Sequence, residues 1–358
     1  MYFWGNIFCM RKTTVTILLL LTALLWVNTS CQKNVHRTSK VVMLAQGITF
    51  DDQAFLQSCK NGLEQAKNDF DLECEYNIDT TTTRYRERLE YYAGLDFDLI
   101  IAVGHMWNDA VVQASKEYPD IAFVLVDAAL SEQQPNALSI LFDVDEVAYP
   151  LGYLSAWWAR SHDSTDPAVG FVGALEIQQI RQFTEPFLKG VDHFNQEYSA
   201  TIAYGGFYAS TFIDTDLGEQ LADSLITLGA DVIFGVGGQT GNGALLMAKE
   251  RGKWGIGVDV DQSVSIPEVS GILISSAMKR LDNAIYAVIQ SYIENNFNGN
   301  GIYTGSLANE GVEMAPYHSF YAQITDSVKL AIENIKAGIM NGTISTGWIN
   351  PVTSKPFH

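Results

Sequence analysis

The chain has 358 residues, with 22 Lys and Arg against 41 Asp and Glu, for a formal charge of −19. Hydrophobic residues make up 47% and charged residues 18%, which excludes a disordered acidic protein and leaves material for one or two sizeable cores. The acidic balance argues against a nucleic-acid partner, and four cysteines do not make a disulfide scaffold of a chain this long.

The first segment reads as an address. Arg11-Lys12 precede an apolar run from Val15 to Val27, and Asn28-Thr29-Ser30 lead to Cys31. A basic start, a short apolar stretch and small residues before a cut site form a secretory signal. The run is shorter than the roughly 20 residues of a membrane-spanning helix. A Cys after small residues is the pattern of a bacterial lipoprotein signal, so residues 1–30 are expected to be removed and Cys31 lipidated. Asn28 stands where such signals usually carry an aliphatic residue, and Met10 offers a second start just before the basic pair. Polar residues 31–39 are read as a tether.

The body alternates strand and helix. Val41–Ala45 is a strand, and Gln53–Asp69 has helical spacing through Phe55, Cys59, Leu63 and Ala66. Leu99–Val103 is a buried strand, followed by a helix through Ala110 and Ala114. Ile121–Val126 and Leu138–Phe142 are strands, and Val147–Ala159 is a helix. Val169–Val172 with Ile177–Phe194, Thr201–Tyr204 with Leu217–Leu228, and Val232–Phe234 with Ala244–Arg251 repeat the unit. Ile256–Val258 and Ile272–Ser275 are strands, and Leu281–Asn295 is a long helix. Alternation with near-continuous apolar strands predicts α/β architecture, with parallel sheets covered on both faces. Composition breaks near Val144–Pro150 and Ser270–Ser276 mark a hinge between two halves. The expected lobes are 40–144 with 276–305, and 145–275 with 306–358. Cys59 and Cys74 sit on successive elements and are not expected to bridge.

Ligands of parallel sheets bind outside the carboxyl ends of the strands. There the sequence places Gln46, Gly47 and Phe55 after the first strand, then Trp107 and Asp127 in the first half. In the second half it places Gly205, Gly206, Phe207 and Phe212, the glycine-rich stretch Gly235–Gly243 with Gly238, then Asp259 and Lys279. Aromatic faces, carboxylates that accept paired hydroxyls, glycines that admit backbone N–H groups and one lysine suit a flat, hydroxylated solute such as a nucleoside or a sugar. Each has a plainer alternative. Asp52 is better read as a helix N-cap, Phe55 and Phe212 could be packing residues, Asp127 and Asp259 could close turns, and Lys279 could face solvent. The glycine-rich stretch lacks the Gly-Lys-Ser/Thr ending of a phosphate loop. It loosely resembles a dinucleotide loop, but a nicotinamide enzyme sits poorly with a secretory signal. The His residues do not cluster and no Gly-X-Ser-X-Gly elbow occurs, so neither a metal site, a cofactor nor catalysis is expected.

Several stretches, in this order, resemble one family. They are Phe50-Asp51-Asp52-Gln53-Ala54-Phe55, Tyr118-Pro119-Asp120 with Phe123 and Asp127, and Val169-Gly170-Phe171-Val172-Gly173. Gly229-Ala230-Asp231-Val232-Ile233-Phe234 through Gly243 and Ile256-Gly257-Val258-Asp259-Val260-Asp261-Gln262 complete the series. Together they resemble the basic membrane protein family of ABC-transporter substrate-binding lipoproteins, of the purine-nucleoside receptor type, over about residues 40–340. The resemblance implies a type I periplasmic-binding fold, two Rossmann-like lobes joined by a three-crossover hinge. It also implies a base held between Phe55 and Phe212, polar contacts from Asp127, Asp259 and Lys279, and a close approach at Gly238. The implied partners are a nucleoside, ABC permease subunits and the membrane through the lipid anchor, with the chain acting as an extracytoplasmic monomer. Two departures stand out: the family commonly has Asp where Gln46 stands, and Ser-Phe-Asn where this chain has Ala54-Phe55-Leu56. They leave other flat heterocycles, such as riboflavin, open as ligands. A ligand sensor serving a membrane signalling partner is the other reading of such a fold.

Overall fold

The computed structural model describes residues 38–349, apart from 48, 53 and 80–83. The expected signal, Cys31, residues 31–37 of the tether and Gln53 lie outside the described residues.

The first sheet is built from β1 (Lys40–Gln46), β2 (Glu73–Asp79), β3 (Leu99–Val103), β4 (Ala122–Val126) and β5 (Ala137–Phe142). Later in the chain β11 (Ile302–Gly305) joins it, in the order β11-β5-β4-β3-β1-β2. Every pairing is parallel. β3 and β4 are buried at every position. Alternate residues of β1 serve two layers: Val41, Met43 and Ala45 join the main core, and Val42 and Leu44 join a second layer with Leu89, Val111 and Phe123. The helices α1 (Phe55–Phe70), α2 (Tyr85–Ala93) and α3 (Asn108–Glu117) provide that double covering.

The second sheet contains β6 (Ala168–Gly173), β7 (Ala203–Tyr208), β8 (Ala230–Val236), β9 (Trp254–Asp259), β10 (Leu273–Lys279) and β12 (Val312–Met314). Its order is β12-β10-β9-β8-β6-β7, with only β12 antiparallel among the pairings of this sheet. Its helices are α4 (Asp145–His162), α5 (Gln178–Tyr198), α6 (Thr215–Thr227), α7 (Gly238–Glu250) and the single turn α8 (Gln262–Ser265). α4 and α5 pack closer than side chains allow. A Cβ on Gly152 would stand 1.8 Å from the Phe187 carbonyl oxygen, and one on Gly190 would stand 1.9 Å from that of Tyr149.

The chain passes between the sheets at three places: after β5, at Arg280 after β10, and between β11 and β12. α9 (Leu281–Ile293) returns to pack on α1, and α10 (Asp326–Met340) ends the described body against α4. The crossings are tied together. Arg280 N–H donates to the Gly311 carbonyl at 2.9 Å, and the Leu307 N–H donates to Glu146 at 2.7 Å. Burial pushes the Glu146 carboxyl up to about 7, although the Leu307 bond opposes that shift.

Some elements differ from the sequence reading. β10 runs through Lys279 and stays in the second sheet, so the crossing lies beyond the expected break at 275/276. Ser275 and Ser276 resemble a strand end, but both are buried, and the Ser275 hydroxyl donates to the Ala315 carbonyl at 2.7 Å. β7 takes in Gly205, Gly206 and Phe207, which were expected beyond a strand at Thr201–Tyr204. Ile202 instead exchanges two hydrogen bonds with the Asn195 side chain, closing the end of α5 before the strand starts. The glycine-rich stretch is not an open loop: Gly235 and Val236 finish β8, and α7 begins at Gly238. Cys59 and Cys74 are free thiols.

Candidate functional site

In each sheet the strand order reverses beside the first strand of the unit, at β1/β3 and at β6/β8, and a crevice opens outside the carboxyl ends there. Register sets who stands in it. Ala45 pairs with Val103, and Val103 with Val126, so Gln46, Gly104 and Asp127 follow in one row. In the second sheet Asp259 lies beside Met278, with Lys279 one residue further. Asp127 (φ 63°) and Asp259 (φ 65°) both adopt the left-handed conformation. Asp tolerates this better than most residues, and such conformations gather at functional sites.

The two sheets meet in a charged cluster. The Lys279 ammonium, from the second sheet, donates to both oxygens of Asp127, from the first, at 2.9 and 3.0 Å. Lys279 is only 5% exposed, and its nitrogen lies 5.2 Å from the Phe183 ring centre, 5.6 Å from Phe55 and 5.9 Å from Phe142. Burial alone would lower a lysine pKa, yet Asp127 and Asp259 more than offset it and the value is raised. Asp259 is partly buried beside the pair. Burial pushes its carboxyl up to about 6, with Lys279 opposing and Asp127 and Asp52 adding repulsion. Burial, then Asp127, Asp52 and Asp259, push the Cys59 thiol up from the face of α1 nearby.

The N-cap position falls on Ala54 rather than on Asp52, as the sequence suggested, but the Asp52 carboxylate reaches the same helix start from two residues before it, accepting the backbone N–H groups of Ala54, Leu56 and Gln57, each at 3.0 Å. That fixes the start of α1 and with it Phe55. Between Ala54 at the start of α1, Gln57 and Asn61 on it, and the strand ends bearing Asp259 and Lys279 lies a cavity of about 530 Å³. That size suits a small organic ligand.

Phe212 and Gly238 meet at the crevice of the second sheet. A Cβ on Gly238 (φ +55°) would stand 2.7 Å from the Phe212 carbonyl oxygen, and one on Gly237 (φ +112°) would stand 3.3 Å from its ring. Glycine is needed at both positions for conformation and for space. In the first sheet, the Tyr85 hydroxyl donates to Gln46 Oε1 at 2.5 Å, and the Tyr85 ring meets Trp107 edge-on at 4.8 Å. Gly47 is half-buried, and a Cβ there would touch Leu56. Thus Phe55, Asp127, Asp259 and Lys279 form one cluster, Phe212 with Gly238 a second, and Gln46 with Trp107 a third, all on carboxyl edges. Trp107, expected from the sequence among the ligand contacts, is 1% exposed and packs in the outer layer.

Sequence reasoning passed over α5. Gln179 donates to the Asp127 carbonyl at 3.4 Å, and Gln182 donates to the Phe142 carbonyl and to Asp145, both at 3.0 Å. Phe183 beside them faces Lys279. The signal was available: two glutamines three apart follow β6, on the face that otherwise carries Phe183 and Thr184. Among the described residues, no group of three or more His, Cys, Asp or Glu stands as metal ligands do.

Comparison with known proteins agrees with this architecture. Residues 38–346 match the Bmp family model, described as ABC transporter substrate-binding protein PnrA-like. An uncharacterized lipoprotein of Pyrococcus furiosus is 27% identical over 318 residues, covering 85% of this chain and 77% of that one. Basic membrane protein A1 of Borrelia garinii is 27% identical over 312 residues, covering 85% and 87%. A crystal structure of ABC-transporter solute-binding proteins from Aeropyrum pernix superposes with a TM-score of 0.79 at 24% identity, covering 87% of this chain and 94% of that one, and shows the same fold. The chain belongs to the Bmp family of ABC-transporter substrate-binding proteins, with the periplasmic-binding-protein fold.

Proposed function

We propose that this chain is an extracytoplasmic lipoprotein, anchored through Cys31, that captures a purine nucleoside between its lobes. It delivers the solute unchanged to the permease of an ABC importer. The observation that carries the reading is the Lys279–Asp127 pair spanning the two sheets, with Asp259 beside it and Phe55 over it. A base stacks between Phe55 and Phe212. The ribose hydroxyls donate to Asp127 and Asp259 and accept from Lys279, and the Gly238 backbone closes on the ligand. Such a site binds and orients, and the reading gives it no reaction to catalyse. The lobes move about the three crossings, and the ligand favours the closed form because only there do both lobes touch it.

Two stacking rings contribute about 1–3 kcal/mol each, and hydrogen bonds to charged groups about 1.5–3 kcal/mol each before ordering costs, which supports micromolar or tighter binding. Titration calorimetry with inosine, guanosine and adenosine tests the reading. Phe55→Ala and Asp259→Ala are each expected to weaken binding at least about tenfold. Unchanged affinity in both variants rejects the assigned cleft. Gln46, in place of the common Asp, keeps riboflavin as a second candidate in the same titration.

A further inference from the structure

Lys279 belongs to the second sheet, at the end of β10, yet its charged end is held by the first. Its ammonium donates to both Asp127 oxygens at 2.9 and 3.0 Å and lies 5.6 Å from the Phe55 ring centre and 5.9 Å from that of Phe142, all three residues of the first lobe. Asp127 is gripped a second time from across the cleft: Gln179, on α5 of the second lobe, donates to its backbone carbonyl at 3.4 Å. Two bonds to the side chain and one to the main chain thus join the lobes through one residue, each between groups of the protein itself. Movement about the three crossings that carries the second sheet's carboxyl edge away from the first breaks all of them. The freed ammonium and carboxylate then return to water, which offsets much of what the buried pair contributes. Such a pair sets a balance between two forms and not a permanent bond.

We infer that the Lys279–Asp127 pair is a latch that closes the lobes on each other whether or not a solute is bound, so that the ligand-free protein divides between closed and open forms. The inference goes beyond the function proposed above and holds for any solute of this cleft. With the closed form populated in advance, less of the ligand's interaction energy is used on closure, and affinity rises. Entry requires the latch to open first, so association is slowed.

Spin labels at Met106→Cys and Ile213→Cys, in the mature chain with Cys31→Ser and Cys74→Ser, test this. Met106 and Ile213 are 47% and 67% exposed and stand past the carboxyl ends of β3 and β7, one on each lobe. The protein is stripped of any solute by unfolding in urea, dialysis and refolding, and the distance between labels is read by double electron–electron resonance. The wild type is expected to show a population at the separation of this structure beside a longer one. Lys279→Met and Asp127→Asn are each expected to lower the ratio of short to long at least about tenfold. Asp127→Asn keeps the size of the side chain and serves the test if Lys279→Met does not refold. A wild type with only the longer separation overturns the inference. So does a distribution in Asp127→Asn equal to that of the wild type, the result expected of a pair that serves only to hold ligand. Neither measurement contains a solute, so the nucleoside reading stands or falls separately, by its own titration.

Discussion

Asp127 and Asp259 occupy matching places in the two sheets, one past the end of β4 and one closing β9, with φ of 63° and 65°. Their surroundings differ. Asp127 takes both hydrogen bonds that Lys279 sends across the cleft, and Gln179 holds its backbone carbonyl. Asp259 lines the cavity and is pushed up to about 6. The same backbone geometry therefore serves two carboxylates with different partners, and the difference is which of them holds Lys279. Asp127 is the fixed side of the cleft. In the proposed function, Asp259 is the side that receives a ligand hydroxyl.

The comparison breaks most visibly if Lys279 is removed. Lys279→Met leaves Asp127, Asp259 and Asp52 facing one another without a cation, and is expected to cost about 3 kcal/mol in urea unfolding, as loss of one partner of a buried pair does. Ligand affinity is expected to fall at least about a hundredfold. A smaller effect separates the two acids. Asp127→Asn removes the charge that balances a buried ammonium and is expected to cost about 2 kcal/mol. Asp259→Asn removes a charge that the fold disfavours, and is expected to leave unfolding at pH 7 within about 0.5 kcal/mol or to raise its free energy. Equal losses in the two variants would erase the distinction. The smallest expected effect is a pH dependence. Folding raises the Asp259 pKa, so the folded state holds that proton more tightly. The stability this confers is complete below the ordinary value of 3.8 and is lost as pH rises through about 6. Asp259→Asn is expected to flatten the unfolding free energy across that window. Because the ionised acid is the better acceptor, nucleoside affinity in the wild type is expected to fall severalfold between pH 7 and pH 5, while that of Asp259→Asn stays level.

Much of the fold is legible because its strands are short, unbroken apolar runs. Leu99–Val103 and Ala122–Val126 are buried at every position and read as parallel strands without help. Asp127, Asp259 and Lys279 were found by the same logic, as polar residues that follow such runs. What stayed hidden was local sequence that resembles something else. α2 is dominated by Arg, Glu and Tyr and carries little apolar patterning, and β11 and β12 are four and three residues long. Ser275 and Ser276 broke an apolar run in sequence, but their hydroxyls are hydrogen-bonded inside the second sheet. Gln179, Gln182 and Phe183 are ordinary members of an amphipathic helix until the first sheet supplies Asp127 and Phe142 opposite them. The hydrogen bond of Gln46 is with Tyr85, which lies 39 residues away in sequence.

A crystal structure of the protein grown with inosine tests the central claim most directly. The account predicts the base between Phe55 and Phe212 and the ribose hydroxyls within hydrogen-bond distance of Asp127, Asp259 and Lys279. Inosine seated elsewhere, with the Lys279–Asp127 pair untouched by ligand, would contradict it.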